Sequence, residues 1–198
     1  MSAQRPLTKR TRDPDAKRAA LLRAAMETFA AKGFAAASMA DVARAAGVAV
    51  GTSYRFFPAK IDMLRALHVQ LADEFNDVMR QAWESQSDYE ARLRALVRAL
   101  FALIDARRVE LRVLSMTTDV GDATGGSPTD SVRACIAELA SEAMDAGAFH
   151  RMDPHHYAAV VHGLVEGAMR HHLRFGDPDG TLARQTEGMI CRAVLVRP

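Results

Sequence analysis

The chain of 198 residues is 49% apolar and 25% charged, a composition that excludes a disordered polymer and supplies enough apolar mass for one or two compact domains. No run approaches the roughly 18 uninterrupted apolar residues of a membrane span, and the basic stretch Met1–Arg12 has no apolar segment behind it, so a cytoplasmic protein with no membrane partner is expected. The formal charge of +2 hides an asymmetry: residues 1–60 hold 11 Lys and Arg against 4 Asp and Glu, a balance of +7, which leaves −5 for residues 61–198. A polyanionic partner for the first third is one implication, and a solvated basic tail is the other.

Ala, Leu, Arg and Met dominate and apolar residues return at helical spacing, so the fold class is all-α. Residues 1–13 carry basic side chains without periodicity and are expected to form a flexible arm. Pro14 and Asp15 open a first helix that turns Leu22, Ala25 and Phe29 to one side and stops at Gly33, with Phe34 returning to the same core. Ser38, with Asp41 three residues on, is a capping-box start for a short second helix with Met39, Val42, Ala43 and Ala46 inward; Gly47 ends it. A third helix is predicted from near Val50 to Phe56 or Phe57. Pro58 is placed to begin a long fourth, through Lys60, Leu64, Leu67 and Leu71 toward Trp83.

Asp88 reads as the cap of a fifth helix through Leu93, Leu96, Val97, Leu100, Phe101 and Ile104, followed by a shorter one from about Val109 to Thr117. Residues 119–127, with three glycines, read as a loop. Pro128, Pro154 and Pro178, preceded by Ser127, Asp153 and Asp177 as caps, open helices running to about Ala146, Phe175 and Val196. The expected architecture is thus about nine helices. A helix-turn-helix occupies residues 14–60, and a long fourth helix joins it to a second helical domain over 61–198.

A helix-turn-helix needs small residues where its helices cross, a Gly in the turn and an apolar residue after it to fix the angle; Ala43, Gly47 and Val48 supply these. The helix beyond the turn then offers its outer face to bases and phosphates. With Ala24-Ala25, Phe29, Gly33-Phe34, Ala46-Gly47-Val48, Gly51-Thr52, Tyr54, Phe57, Lys60 and Leu64, the chain resembles the tetracycline-repressor-like (TetR) family of bacterial regulators over about residues 14 to 67.

The resemblance implies DNA contacts position by position. Gly51 admits the backbone of a duplex, Thr52 offers a hydroxyl and a methyl, and Tyr54 resembles the family's phosphate-contacting tyrosine. Arg55 stands where many members have His, and it can bind a phosphate or a guanine edge. Lys60 and Ser38 are expected at phosphates near helix starts. Arg44, Val50 and Ser53 complete the set, with a plain surface role as their alternative. Three positions depart from the family: Ala49 replaces a capping Ser, Val50 a polar or basic residue and Ile61 an acidic one.

For the larger part the resemblance implies an effector cavity and a homodimer formed by the last two helices, on a palindromic double-stranded DNA operator with half-sites about 34 Å or more apart. Gly163 and Gly167, four apart, suit close helix contact. Candidate effector contacts are Trp83, Phe101, Ile104, Met116, Met144, Phe149, Tyr157, Val161, His162 and Met169, each of which also reads as ordinary core. His162 and Glu166 share a helix face, with His150, His155, His156, His171 and His172 nearby in sequence, but no HExxH occurs and neither a metal nor a cofactor is expected. Cys135 and Cys191 are too few for a disulfide framework or a zinc site. No nucleophile, base and orienting group assemble, so an enzyme is not expected. The reading is a repressor released by a small molecule. The alternatives are the same DNA-binding role without a small-molecule effector, controlled by a protein partner or by abundance, and a helical metalloenzyme or haem protein using His162 and Glu166.

Overall fold

The computed structural model describes residues 13–115 and 128–196. The arm expected over 1–13 therefore lies outside the described residues except for Asp13, as does the loop expected over 119–127. Among the described residues there are nine helices and no strand, in keeping with the all-α expectation. The chain divides into two compact units, one up to Ala66 and one from Leu67.

The first unit holds α1 (Pro14–Lys32), α2 (Met39–Ala45), α3 (Val50–Phe56) and the first turns of α4 (Lys60–Glu84). Pro14 sits in the first turn of α1, and the carboxylate of Asp13 accepts from the Asp15 amide at 2.9 Å, so the helix starts where its free N–H groups find an acceptor. Leu21, Leu22, Ala25 and Phe29 are buried on one stripe, and Phe34 meets the edge of Phe29 at 5.2 Å between ring centres. α2 opens on a complete capping box: the Ser38 hydroxyl accepts from the Asp41 amide at 3.1 Å while the Asp41 carboxylate accepts from the Ser38 amide at 3.2 Å.

Its end is closed by two reverse bonds, Gly47 N–H to Arg44 C=O at 3.2 Å and Val48 N–H to Ala43 C=O at 3.0 Å. That motif needs a left-handed residue at its centre, and Gly47 supplies it at φ 67°. α2 packs on both α1 and α3 through the fully buried Val42 and Ala43. α4 begins at Lys60 rather than at Pro58. The Asp62 carboxylate accepts from the Ala59 amide at 2.9 Å, which fixes the first turn two residues beyond the proline.

The second unit comprises the remainder of α4, then α5 (Tyr89–Ala106), α6 (Arg108–Ser115), α7 (Pro128–Asp145), α8 (Pro154–Phe175) and α9 (Thr181–Val194). Asp88 and Asp153 cap α5 and α8 as expected. α9 starts three residues later than the Pro178 reading, at Thr181 behind a left-handed Gly180. Asp177 nevertheless serves this helix, since its carboxylate reaches over the turn to the amides of Leu182 and Ala183 at 3.0 and 3.1 Å. The helix also stops short of Val196, because Leu195 and Val196 turn extended and pair with the α7–α8 connection: His150 N–H to Val194 C=O at 2.9 Å and Val196 N–H to Ala148 C=O at 3.0 Å.

The core of this unit runs through Met79, Trp83, Leu93, Val97, Leu100, Ala143, Phe149, Tyr157 and Ile190. Charged groups fasten its helices. Glu74 of α4 takes a paired contact from Arg107, at 2.8 to 3.1 Å. The buried Glu187 of α9 is held between Arg94 and Arg98 of α5, at 2.7 and 2.9 Å. Arg108 and Arg112 donate to the carbonyls of His172 and Leu173 in the last turn of α8, where the His172 carbonyl also accepts from the Gly176 amide at 2.8 Å.

Candidate nucleic-acid interface and effector cavity

Seven residues of α3 project on two sides. Val50, Gly51, Tyr54 and Arg55 face outward, with Val50 and Tyr54 43% and 50% exposed. Thr52 is half-buried. A side chain at Gly51 would meet nothing within 4 Å, so glycine there leaves open surface and not a packed gap. Ala49 gives the helix no side-chain cap, as its chemistry requires. Arg44 extends from α2 with 78% of its side chain exposed, 3.4 Å from Asp41.

Two sequence-predicted contacts stand elsewhere. Ser53 is fully buried, and its hydroxyl donates to the Val50 carbonyl at 2.7 Å, so it belongs to the inner face and offers no group to a duplex. Lys60 is half-buried, and its ammonium donates to the carbonyls of Phe34, Ala35 and Ala37 at 2.7, 2.9 and 3.0 Å. An ammonium has three N–H groups, and here all of them are engaged. The charge also lies 4.7 Å from the centre of the Phe34 ring. Lys60 therefore closes the α1–α2 connection from within, a role that a motif reading cannot distinguish from a phosphate contact.

Ser38, the third residue expected at a phosphate, donates its own hydroxyl to Asp41 at 2.7 Å. Asp41 gathers this corner. Its hydrogen bond from Lys32, with that from Ser38 second, holds its carboxyl down from the usual 3.8 to about 2.

The second unit encloses a cavity of about 240 Å³. Of the ten expected effector contacts, Trp83, Ile104, Phe149, Tyr157, Val161, His162 and Met169 line it. Phe101 and Met144 do not: both are buried in solid core, Phe101 against the edge of His172 at 6.4 Å. Met116 lies outside the described residues. Sequence reading passed over the wall that α4 builds from His68, Ala72, Phe75 and Met79, although their three- and four-residue spacing leading to Trp83 marks one helix face.

The polar groups in the wall are specific. His162 has its Nδ1 buried without a hydrogen-bond partner, 3.9 Å from Glu166, and burial holds the imidazole below its usual range against the pull of that carboxylate. Glu166 also pairs with Arg170 one turn on. Burial pushes the Tyr157 phenol up, so it stays protonated. The other histidines do not converge: His172 contacts Asp105 at 2.6 Å and His171 rests on Phe175. Among the described residues no three His, Cys, Asp or Glu side chains form a metal-ligand group, and no helix is long and apolar enough to cross a membrane.

Comparison with known proteins bears on both units. A family profile described as bacterial regulatory proteins of the tetR family matches residues 21–67. The HTH-type transcriptional activator FasR of Mycolicibacterium smegmatis is 36% identical over 91 residues, and the match spans 46% of this chain and 42% of that curated relative. The fold is shared with a solved structure from Shewanella sp. PV-4, assigned to the TetR family of transcription regulators, at a TM-score of 0.75 and 24% identity, covering 91% of this chain and 99% of that one. It is shared also with the fatty acid degradation regulator FadR from Bacillus halodurans, at a TM-score of 0.71 and 22% identity, covering 87% and 96%. Residues 21–67 thus match the tetR family of bacterial regulatory proteins, and the chain as a whole shares its fold with solved structures assigned to that family.

Proposed function

We propose that the chain acts as a homodimeric transcription repressor whose α3 docks in the major groove of a palindromic operator and whose second unit binds a small-molecule effector that releases it. The observation that carries the DNA-binding part is the outward face of α3, where Val50, Gly51, Tyr54 and Arg55 stand free beyond the Gly47 turn. The +7 balance of residues 1–60 supports it, since a basic surface draws a polyanion and displaces its counterions.

The cavity supports the effector. A tightly filled interior would have favoured control by a protein partner or by abundance instead. α4 runs from Lys60 through the cavity wall to Trp83, so a ligand that alters that wall acts on the same helix whose first turn closes the head. Ligand and DNA then favour different states, and each weakens the other by about 1–3 kcal/mol. The dimer is supported by the outer face of α8 and α9, where Val160, Phe175 and Met189 are 66%, 65% and 50% exposed. Gly163 and Gly167 stand among them with open space over their Cα atoms.

The direction of regulation is tested with the rest, because FasR carries the name of an activator. The purified chain is titrated against the DNA upstream of its own gene at several salt concentrations, and transcription from that DNA is followed with and without added chain. Specific, salt-steep binding that silences transcription is expected. Binding no tighter than to unrelated duplex refutes the reading.

A further inference from the structure

The cavity is long and has two unlike ends. On α4 its wall extends from His68 to Trp83, roughly 22 Å at the rise of an α-helix, and on α8 from Tyr157 to Arg170, roughly 20 Å. By position along their helices the polar lining residues stand away from Trp83 and Tyr157: His68 on α4, Ser115 on α6, Thr129 on α7, and the paired Glu166 and Arg170 on α8. The other end is closed by Trp83, Leu93, Phe149 and Tyr157, with Phe149 set edge-on to Trp83 at 6.1 Å and stacked on Tyr157 at 5.8 Å.

Trp83 is held from behind. Its Nε1 donates to Glu142 at 3.0 Å, Glu142 also accepts from Tyr89 and Arg92, and the Arg92 guanidinium lies 5.7 Å from the indole centre. An indole fixed on its polar edge and across its face does not swing aside for a ligand.

Resting on the reading of this unit as the effector domain, we propose that the effector is a single-chain amphiphile. Its compact polar head lies at the His68–Arg170 end and its unbranched apolar chain follows α4 and α8 to Trp83, which sets the longest chain accepted. A volume of about 240 Å³ spread along walls of roughly 20 Å matches a chain better than a fused-ring compound, which needs breadth. Burial of successive methylenes supplies the affinity and the polar end fixes direction.

Trp83 is the sole tryptophan of the chain, so its emission reports contact at the closed end. The full-length protein is titrated below micelle-forming concentrations with butanoate, octanoate, dodecanoate and hexadecanoate, and in parallel with the matching 1-alkanols, which tell an anionic head from a neutral one. Affinity is expected to rise about fourfold per methylene and then level off at the length whose tail reaches Trp83, where the emission change is largest. Trp83→Leu, followed by calorimetry, moves the plateau to longer chains. Leu100→Phe, which fills the channel midway and keeps the tryptophan, moves it to shorter ones and serves if the first variant does not fold.

No saturable binding of either series, affinity independent of length, or a plateau unmoved in the folded variants overturns the proposal. Operator binding measured alongside separates the two readings. Chains that bind with a plateau yet leave DNA bound support the channel and refute release by this ligand. Release by a compound of another shape, with no chain bound, overturns the channel alone.

Discussion

Replacing Lys60 by Met tests whether this lysine holds the fold or touches DNA. Methionine keeps the length and apolar stem of the side chain and deletes the ammonium, leaving the carbonyls of Phe34, Ala35 and Ala37 without their donor. A hydrogen bond to a charged group contributes about 1.5–3 kcal/mol. The three here do not add fully, because Lys60 is only half-buried and water can reach the exposed contact at Ala35. The expected loss is therefore about 2–3 kcal/mol in the first unit. Amide exchange measures it directly, since protection across α1 and α2 should fall roughly 30- to 150-fold while that of α5 and α7 is unchanged. DNA affinity should drop with the population of folded head, but the slope of log affinity against log salt should stay the same, because no phosphate contact is removed. A phosphate ligand behaves in the opposite way: exchange unaltered, slope shallower by about 0.9. That second pattern would refute the placement of Lys60 as an internal clamp.

Arg55→Ala should weaken operator binding without altering stability; a salt slope lower by about 0.9 marks a phosphate contact, and a loss of about 1–3 kcal/mol confined to one base pair marks a guanine edge. Ser53→Ala should cost about 1 kcal/mol of stability in denaturant melts and leave the salt slope unchanged, since the hydroxyl serves only the Val50 carbonyl. Asp41 has its carboxyl depressed from 3.8 to about 2, so its contribution is complete above 3.8 and is lost as pH falls toward 2. Asp41→Asn should accordingly flatten the acid limb of the stability profile in that window and lower stability at neutral pH. If the proposed dimer forms through α8 and α9, Val160→Glu combined with Gly163→Arg should convert it to a monomer in sedimentation with helicity retained, because both positions are exposed in the single chain; a persistent dimer would move the interface elsewhere.

The helices were legible wherever a local rule decides them. Proline in the first turn with aspartate before it marks α1 and α8, a Ser-x-x-Asp box marks α2, and Gly47 marks its end. Each of these choices is made within five residues, so the order of residues alone contains it. The misses involve longer reach. Pro178 satisfies the same rule as Pro154, yet Asp177 extends past it to Leu182 and Ala183 and delays α9 to Thr181. The last residues of that helix are surrendered to a pairing with Ala148 and His150, some 46 positions earlier in the chain. Lys60 follows the same pattern, since its partners lie 23 to 26 residues upstream and nothing beside it in sequence betrays them.

The cavity shows why inward-facing and pocket-lining are different properties. Phe101 and Ile104 lie on the same buried side of α5, and Met144 and Phe149 are equally buried beyond it, yet only the second of each pair borders the void. Periodicity reports which side of a helix leaves water; it does not report how far away the opposing side chain stands. That distance depends on spacing between helices, and here the spacing is fixed at one end by ties between distant residues: Arg92 and Tyr89 of α5 and Trp83 of α4 all converge on Glu142 of α7. Glu142 is an ordinary exposed carboxylate on α7 by sequence. Its effect on the cavity follows from holding three helices apart, so substituting it should alter chain-length selection without touching the ligand, and Glu142→Ala should loosen the Trp83 stop while leaving the polar end intact.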